Sequence, residues 1–216
     1  MQLAFPVVLA TASAWRAELL RATGLAVELH PAPIDEQAVT ASTPESLALA
    51  RAIAKAEAVA AARAESHPDS VIIGADQVAH LDGEAFGKPL DAEDHRRRLR
   101  LLRGRVHTLS TGVSFRGNPS LFRAASGAAS GAAAAPLLSW DFVEHTQIHF
   151  RADTTDAEID AYVDSEDGSG CAGGYRAEGP GAWLIARADG DWSNVIGLPV
   201  FAVLARLRLL NRLCGG

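Results

Sequence analysis

The chain has 216 residues, 48% of them hydrophobic, and a formal net charge of −6 with histidine neutral. Such an apolar content supports a sizeable core and excludes disorder throughout. The acidic balance excludes a general affinity for nucleic-acid polymers, since displacing condensed counter-ions requires Lys and Arg spread along a face. Cys171 and Cys214 are the only cysteines, too few for a disulfide framework and without metal-ligand spacing, which fits a reducing compartment.

The N-terminal run from Leu3 to Ala14 is apolar, and Ala10-Thr11-Ala12 has the small residues of a cleavage site. No Lys or Arg precedes Arg16, however, and the run is too short to span a bilayer. A cytoplasmic protein without a membrane partner is expected. Within that run, Val7 to Ala10 reads as a strand that breaks at Thr11-Ala12-Ser13-Ala14-Trp15-Arg16 into a helix, Glu18 to Arg21. A strand-to-helix turn is an anion trap, because the first N–H groups of a helix lack partners and carry partial positive charge. The hydroxyls of Thr11 and Ser13, beside Arg16, would converge on a phosphate or carboxylate there. The plainer reading makes Ser13 a helix cap and Trp15 a core residue.

Further strands are predicted at Ala26 to His30, Ser70 to Val78, Val106 to Phe115, Asp141 to Phe150 and Ala182 to Ala186, rich in Val, Ile, Phe and Thr. Helices are predicted at Pro44 to Ala64, with Thr43 as its cap, and at Asp91 to Arg103, Asp156 to Asp164 and Pro199 to Arg212. This alternation predicts one α/β domain over 1–216. Residues 117–138 contain an Ala/Ser/Gly tract with little to bury, predicted to be a flexible loop inserted in a long hairpin.

Two segments carry further chemistry. Val71-Ile72-Ile73-Gly74-Ala75-Asp76-Gln77-Val78 reads as an apolar strand that ends on a carboxylate, where clefts open in α/β sheets. Asp76 is thus a candidate base or metal ligand, against the commoner role of an Asp in a turn or cap. In Gly87-Lys88-Pro89 a lysine sits on a stiff connection and is a candidate for gripping phosphate oxygens, against the usual solvated lysine.

Together these segments resemble the Maf family of nucleoside triphosphate pyrophosphatases, first named as septum-formation inhibitors. The resemblance rests on Leu9 to Arg16, Ile34-Asp35-Glu36, Lys55-Ala56, Gly74 to Val78, Gly87-Lys88-Pro89, His107 to Gly112, Cys171 to Gly181 and Asn194 to Pro199, in that order. It implies a mixed twisted sheet flanked by helices, as in inosine triphosphatases, with two lobes and a central cleft, and a homodimer. The implied reaction cleaves the bond between the α and β phosphates of a nucleoside triphosphate with a Mg²⁺ or Mn²⁺ cofactor. Asp76, Glu36 and Lys88 would be catalytic, with Glu36 and Asp76 holding the metal, since hard cations prefer carboxylate oxygens. Which carboxylate serves as base is left open. Ser13, Arg16 and Lys55 would bind phosphates, although Lys55 also suits the solvated face of an Ala-rich helix.

Trp15, Gln77 and Glu178 resemble the branch of the family that acts on 7-methyl-GTP. An indole stacks on a cationic purine. A carboxylate at Glu178 suits the N1–H and exocyclic amine of guanine. Ala14 stands where that branch has Pro, Thr11 where it has Ser, and His107 and Asp191 to Val195 are closer to the general family pattern. Hydrolysis of 7-methyl-GTP to 7-methyl-GMP and pyrophosphate is therefore expected, with dTTP, UTP or another modified nucleotide as alternative substrate. A non-catalytic nucleotide-binding regulator of septum formation is the alternative of a different class.

Overall fold

The structure, a computed structural model, describes residues 2–117 and 138–214. Three parallel strands open the sheet: Val7–Leu9 (β1) lies between Val27–Leu29 (β2) and the eleven-residue Val71–Leu81 (β3). From β3 the sheet continues antiparallel through Val106–Gly117 (β5), Leu138–Phe150 (β6) and Ile185–Asp189 (β7), while Glu84–Phe86 (β4) folds back on the end of β3. The order β2-β1-β3-β5-β6-β7 makes a mixed sheet of seven strands with β4 off the main path. Its helices are Ala14–Arg21 (α1), Pro44–Arg63 (α2), Ala92–Leu102 (α3), Asp156–Asp164 (α4), Trp192–Ile196 (α5) and Val200–Leu213 (α6). The expected α/β class is correct.

Side chains alternate across a strand, and β3 uses that alternation twice. On one face Ile73 and Ala75 pack with Leu20 of α1 and Val203 and Leu207 of α6. Farther along the same face Ala79 and Leu81 join a second cluster with Leu99 of α3, Ile159 and Tyr162 of α4, and Ile148 of β6. The two expected lobes are these two cores, built on one sheet, and Gln77 falls at the junction between them. On the other face, Ile72 packs under Ala56 and Val59 of α2.

Helix α2 starts from a capping box in which Thr43 and Ser46 satisfy each other's backbone N–H groups, with Pro44 in the first turn. Its buried stripe of Ala48, Ala52 and Ala56 lets the backbone lie close on the sheet. Two glycines beneath it complete that approach. A Cβ on Gly74 would sit 2.1 Å from the Ala52 carbonyl oxygen, and one on Gly112 2.4 Å from that of Ala48. This contact sets α2, and with it Lys55, over the middle of β3.

Several boundaries differ from the sequence reading. Strand β3 runs on to Leu81, so Asp76 lies in mid-strand instead of at its end. The reason is the second core, which buries Ala79 and Leu81 as well. Beyond β3, Asp82 and Gly83 both take positive φ, 53° and 83°, closing a hairpin to β4, a strand that was not predicted. The strand predicted at Ala182 to Ala186 is displaced to Ile185–Asp189, because Pro180 starts a 3₁₀ turn over Pro180–Leu184. Helix α1 begins at Ala14, earlier than expected, and α5 was not anticipated. The flexible insertion predicted for 117–138 lies outside the described residues except at its two ends, which close β5 and open β6.

Candidate active site

A cleft of about 1060 Å³ opens between the two cores, against the middle of β3. Ser13, Trp15, Arg16, Glu36, Lys55, Asp76, Gln77, Lys88 and Glu178 all line it. Residues from the first turn, a loop, a helix, two strand positions and two later loops are thus brought to one recess. This is the arrangement an enzyme of small polyanions requires.

In the β1–α1 turn, the Thr11 hydroxyl accepts the Ser13 N–H at 3.1 Å, and Ser13 caps α1 by accepting the Arg16 N–H at 3.5 Å. Ser13 therefore caps the helix and faces the cleft at once. Trp15 is not a core residue, being 53% exposed. Arg16 is fixed between the lobes: its Nε donates to the Gly197 carbonyl at 2.9 Å and one terminal nitrogen to the Ala75 carbonyl at 3.1 Å. Burial lowers its pKa, while the charges of Asp76 and Glu36 raise it. A guanidinium remains charged in this setting.

Behind Arg16 stands a compact charge cluster. Lys55 is only 5% exposed, so it is not on the solvated face of α2. Its ammonium donates to Asp76 Oδ1 at 2.6 Å and pairs with Glu36 Oε1 at 3.0 Å. The other Asp76 oxygen, Oδ2, faces Arg51 at 3.8 Å, and Arg51 Nε donates to the Glu36 carbonyl at 3.1 Å. Arg51 lies four residues before Lys55, hence on the same side of α2. Burial pushes the Glu36 carboxyl up, but the Lys55 hydrogen bond and the charges of Lys55, Arg51 and Arg16 outweigh this and hold it below the usual carboxylate range.

Gln77 points to the opposite face of β3 from Asp76. Its Nε2 donates to Thr111 Oγ1 at 3.0 Å and to the Asn194 carbonyl at 2.5 Å. A backbone carbonyl can only accept, so the amide orientation is fixed and Oε1 is the atom left for the cleft. Asn194 is fully buried and its own amide donates to Thr146 Oγ1 at 3.1 Å, which secures the backbone that holds Gln77. Glu178 and Lys88 are exposed at the rim, on loops after the 3₁₀ turn Ala172–Gly174 and after β4. Arg176, also on the cleft wall, is tied to Asp167 by its Nε at 2.9 Å.

Arg51 was not anticipated, and Arg176, Thr111 and Asn194 entered only within stretches of the family pattern, without a role. The i,i+4 spacing of Arg51 and Lys55 was the one available signal for Arg51, and an Ala-rich helix conceals it by looking solvated. As to metal, no group of three or more His, Cys, Asp or Glu among the described residues is placed to hold one. Two hard carboxylates on a phosphate-sized cleft nonetheless fit Mg²⁺ or Mn²⁺, which is commonly held by one or two carboxylates completed by substrate phosphates and water. Glu36 and Asp76 would be those two.

Fold and site together define an α/β protein with a carboxylate pair set among cations in a cleft between two lobes. The sequence matches the description "Maf-like protein" over residues 6–210, and the chain belongs to the Maf family. A Streptomyces coelicolor protein named "Nucleoside triphosphate pyrophosphatase" is 43% identical over 192 residues, 89% of this chain and 84% of that one. An Anaeromyxobacter dehalogenans "dTTP/UTP pyrophosphatase" is 38% identical over 202 residues, 94% and 92% of the two chains. A Jannaschia "Nucleoside triphosphate pyrophosphatase 1" is 39% identical over 94% of this chain and 96% of its own length. Among solved structures, the Staphylococcus aureus Ham1 protein covers 68% of this chain and 72% of its own at 16% identity, with a TM-score of 0.43. No helix among the described residues is long and apolar enough to cross a membrane.

Proposed function

We propose that this protein is a nucleoside triphosphate pyrophosphatase whose preferred substrate is 7-methyl-GTP, cleaved to 7-methyl-GMP and pyrophosphate so that a modified nucleotide is removed. The hydrolase part rests on the carboxylate and cation cluster of Glu36, Asp76, Lys55, Arg51 and Arg16 and on the names of the relatives. The base preference rests on the Gln77 amide, whose two N–H groups are consumed by Thr111 and Asn194. With Oε1 of Gln77 and the carboxylate of Glu178, that wall offers acceptors. Guanine presents N1–H and an exocyclic amine, two donors on one edge, and pairs with such a wall. Trp15, exposed at the mouth, supplies an indole face on which an N7-methylated, cationic purine stacks.

In the reaction, water attacks the α phosphorus, its oxygen bonds to that atom, and the bridging oxygen leaves with pyrophosphate. Asp76 takes the proton of the attacking water. Ser13 and Arg16 hold non-bridging oxygens near the turn, and Arg16 is already locked in place by two carbonyls. Lys55 and Lys88 meet the charge that builds on the departing pyrophosphate. A Mg²⁺ or Mn²⁺ bound by Glu36 and Asp76 would neutralise phosphate charge and polarise the scissile group.

A second reading, preference for dTTP or UTP, is favoured by the 38% identical relative that carries that name. The two separate in one assay: pyrophosphate release from a panel of standard and N7-methylated nucleotides with Mg²⁺ or Mn²⁺, read as phosphate after a coupling pyrophosphatase. The proposal expects 7-methyl-GTP to lead in kcat/KM. A lead for dTTP or UTP selects the second reading, and no turnover of any triphosphate defeats both in favour of a binding-only regulator.

A further inference from the structure

The two carboxylates that would hold a divalent cation are already engaged by positive charge from the chain itself. Lys55 Nζ stands 2.6 Å from Asp76 Oδ1 and 3.0 Å from Glu36 Oε1. Arg51 adds a second cation 3.8 Å from Asp76 Oδ2, and Arg16 a third that both carboxylates feel. Three positive charges thus face two negative ones, and the pair has no attraction left over for a dication. With Lys55 in place, a doubly charged ion on these oxygens would lie against a buried ammonium, where repulsion is poorly screened.

The three cations differ in how they are held. Arg16 is anchored by two backbone carbonyls, Gly197 and Ala75, and Arg51 by the backbone carbonyl of Glu36. Among the described residues, Lys55 contacts the two carboxylates by its ammonium and no backbone oxygen. It is also the unbranched, rotatable side chain of the three. Lys55 is therefore the group that can leave, and a triphosphate in the cleft gives its ammonium a more highly charged partner. Arg51 meanwhile keeps the Glu36 loop against α2.

We propose that Lys55 is a resident counter-ion that keeps the divalent cation off Glu36 and Asp76 until nucleotide phosphates draw its ammonium away, so that metal and nucleotide load together. The proposal rests on the assignment of Glu36 and Asp76 as metal-holding residues given above. Coupling of this kind is reciprocal: the nucleotide raises metal affinity by the same factor by which metal raises nucleotide affinity. It also keeps the free protein from holding a charged metal site open to adventitious anions.

The test is a titration of Mn²⁺ into the nucleotide-free protein, with free Mn²⁺ read by its electron paramagnetic resonance signal. Wild type is expected to bind weakly, and Lys55→Gln at least about tenfold more tightly, since it removes a positive charge beside the carboxylates. Lys55→Arg keeps the charge and should stay as weak as wild type. Lys55→Met, of similar volume and uncharged, replaces the Gln variant if circular dichroism shows that one unfolded. A tight stoichiometric Mn²⁺ site in wild type, or neutral variants that bind no better than wild type, would overturn the inference. Turnover does not enter this readout, so a tight wild-type site leaves the hydrolytic reading intact, and a failed hydrolytic reading leaves the titration interpretable.

Discussion

The two faces of β3 prepare the cleft in opposite ways. On the face under α2, Asp76 is engaged by Lys55 and Arg51, and the same cations reach Glu36. On the other face, one residue along, Gln77 is held by neutral, directional hydrogen bonds to Thr111 and Asn194. Charge clusters are strong, weakly directional and exchange partners when a polyanion arrives. Neutral amide contacts are weaker but fix which atom faces the ligand. The proposed reading puts the phosphates at the first face and the base at the second, with the scissile bond beside Asp76.

The largest effect expected from breaking this division is at the charged face. Asp76→Asn should keep the fold and lower kcat by about 10² to 10⁴, the usual contribution of a general base. Steady-state kinetics with thermal melting as a fold control measures it, and near-normal turnover would remove Asp76 from its role. The seating of α2 comes next. Gly74→Ala would put a Cβ 2.1 Å from the Ala52 carbonyl oxygen, so α2 must lift, at a cost of up to about 3 kcal/mol of stability. Because Lys55 rides on that helix, the activity should fall with the stability. A Gly74→Ala protein as stable and active as wild type would show that the close helix–sheet contact does not set the charge cluster.

At the neutral face the expected effect is smaller and falls on selectivity. Glu178→Gln should shift preference away from 7-methyl-GTP by about 1 to 3 kcal/mol in the ratio of kcat/KM values, with Trp15→Arg acting in the same direction. Unchanged substrate ratios in both variants would place the base elsewhere. A separate effect, on stability alone, concerns the core beneath that face. His107 is 1% exposed, donates or accepts through Nε2 to the Tyr175 hydroxyl at 2.7 Å, and lies edge-on to Phe150 and Tyr175. Burial first, then the neighbouring His80 and His149, lowers its pKa from 6.5 to about 3. The folded state therefore binds this proton less readily than the unfolded chain. Its contribution to stability is complete above about pH 6.5 and is lost as pH falls toward 3, at about 1.4 kcal/mol per pH unit. Urea unfolding between pH 7 and 4 measures the slope, and His107→Phe should flatten it. An unchanged slope in that variant would contradict the assignment.

Much of the site was legible because its residues carry chemistry that the surrounding pattern does not explain. Asp76 interrupts a run of Val, Ile, Gly and Ala, Lys88 sits between Gly and Pro, and Ser13 and Arg16 stand at a break from strand to helix. All nine expected residues reach one cleft. What escaped was information held by packing. Arg51 reads as a solvated helix position until the stripe of Ala48, Ala52 and Ala56 is seen against Gly74 and Gly112, which turns that side of α2 inward. Thr111 and Asn194 are ordinary polar residues until the antiparallel register sets Thr111 opposite Gln77. Helix α5 spans five residues, too short for periodicity to register. The mid-strand position of Asp76 depends on a second core assembled from α3, α4 and β6, which no local window contains.

The central claim is that water attacks the α phosphorus beside Asp76. Hydrolysis in water enriched with oxygen-18, followed by mass spectrometry of both products, tests it most directly. The label should appear in the nucleoside monophosphate and be absent from the pyrophosphate. Label in the pyrophosphate, or release of orthophosphate without a coupling enzyme, would contradict the account.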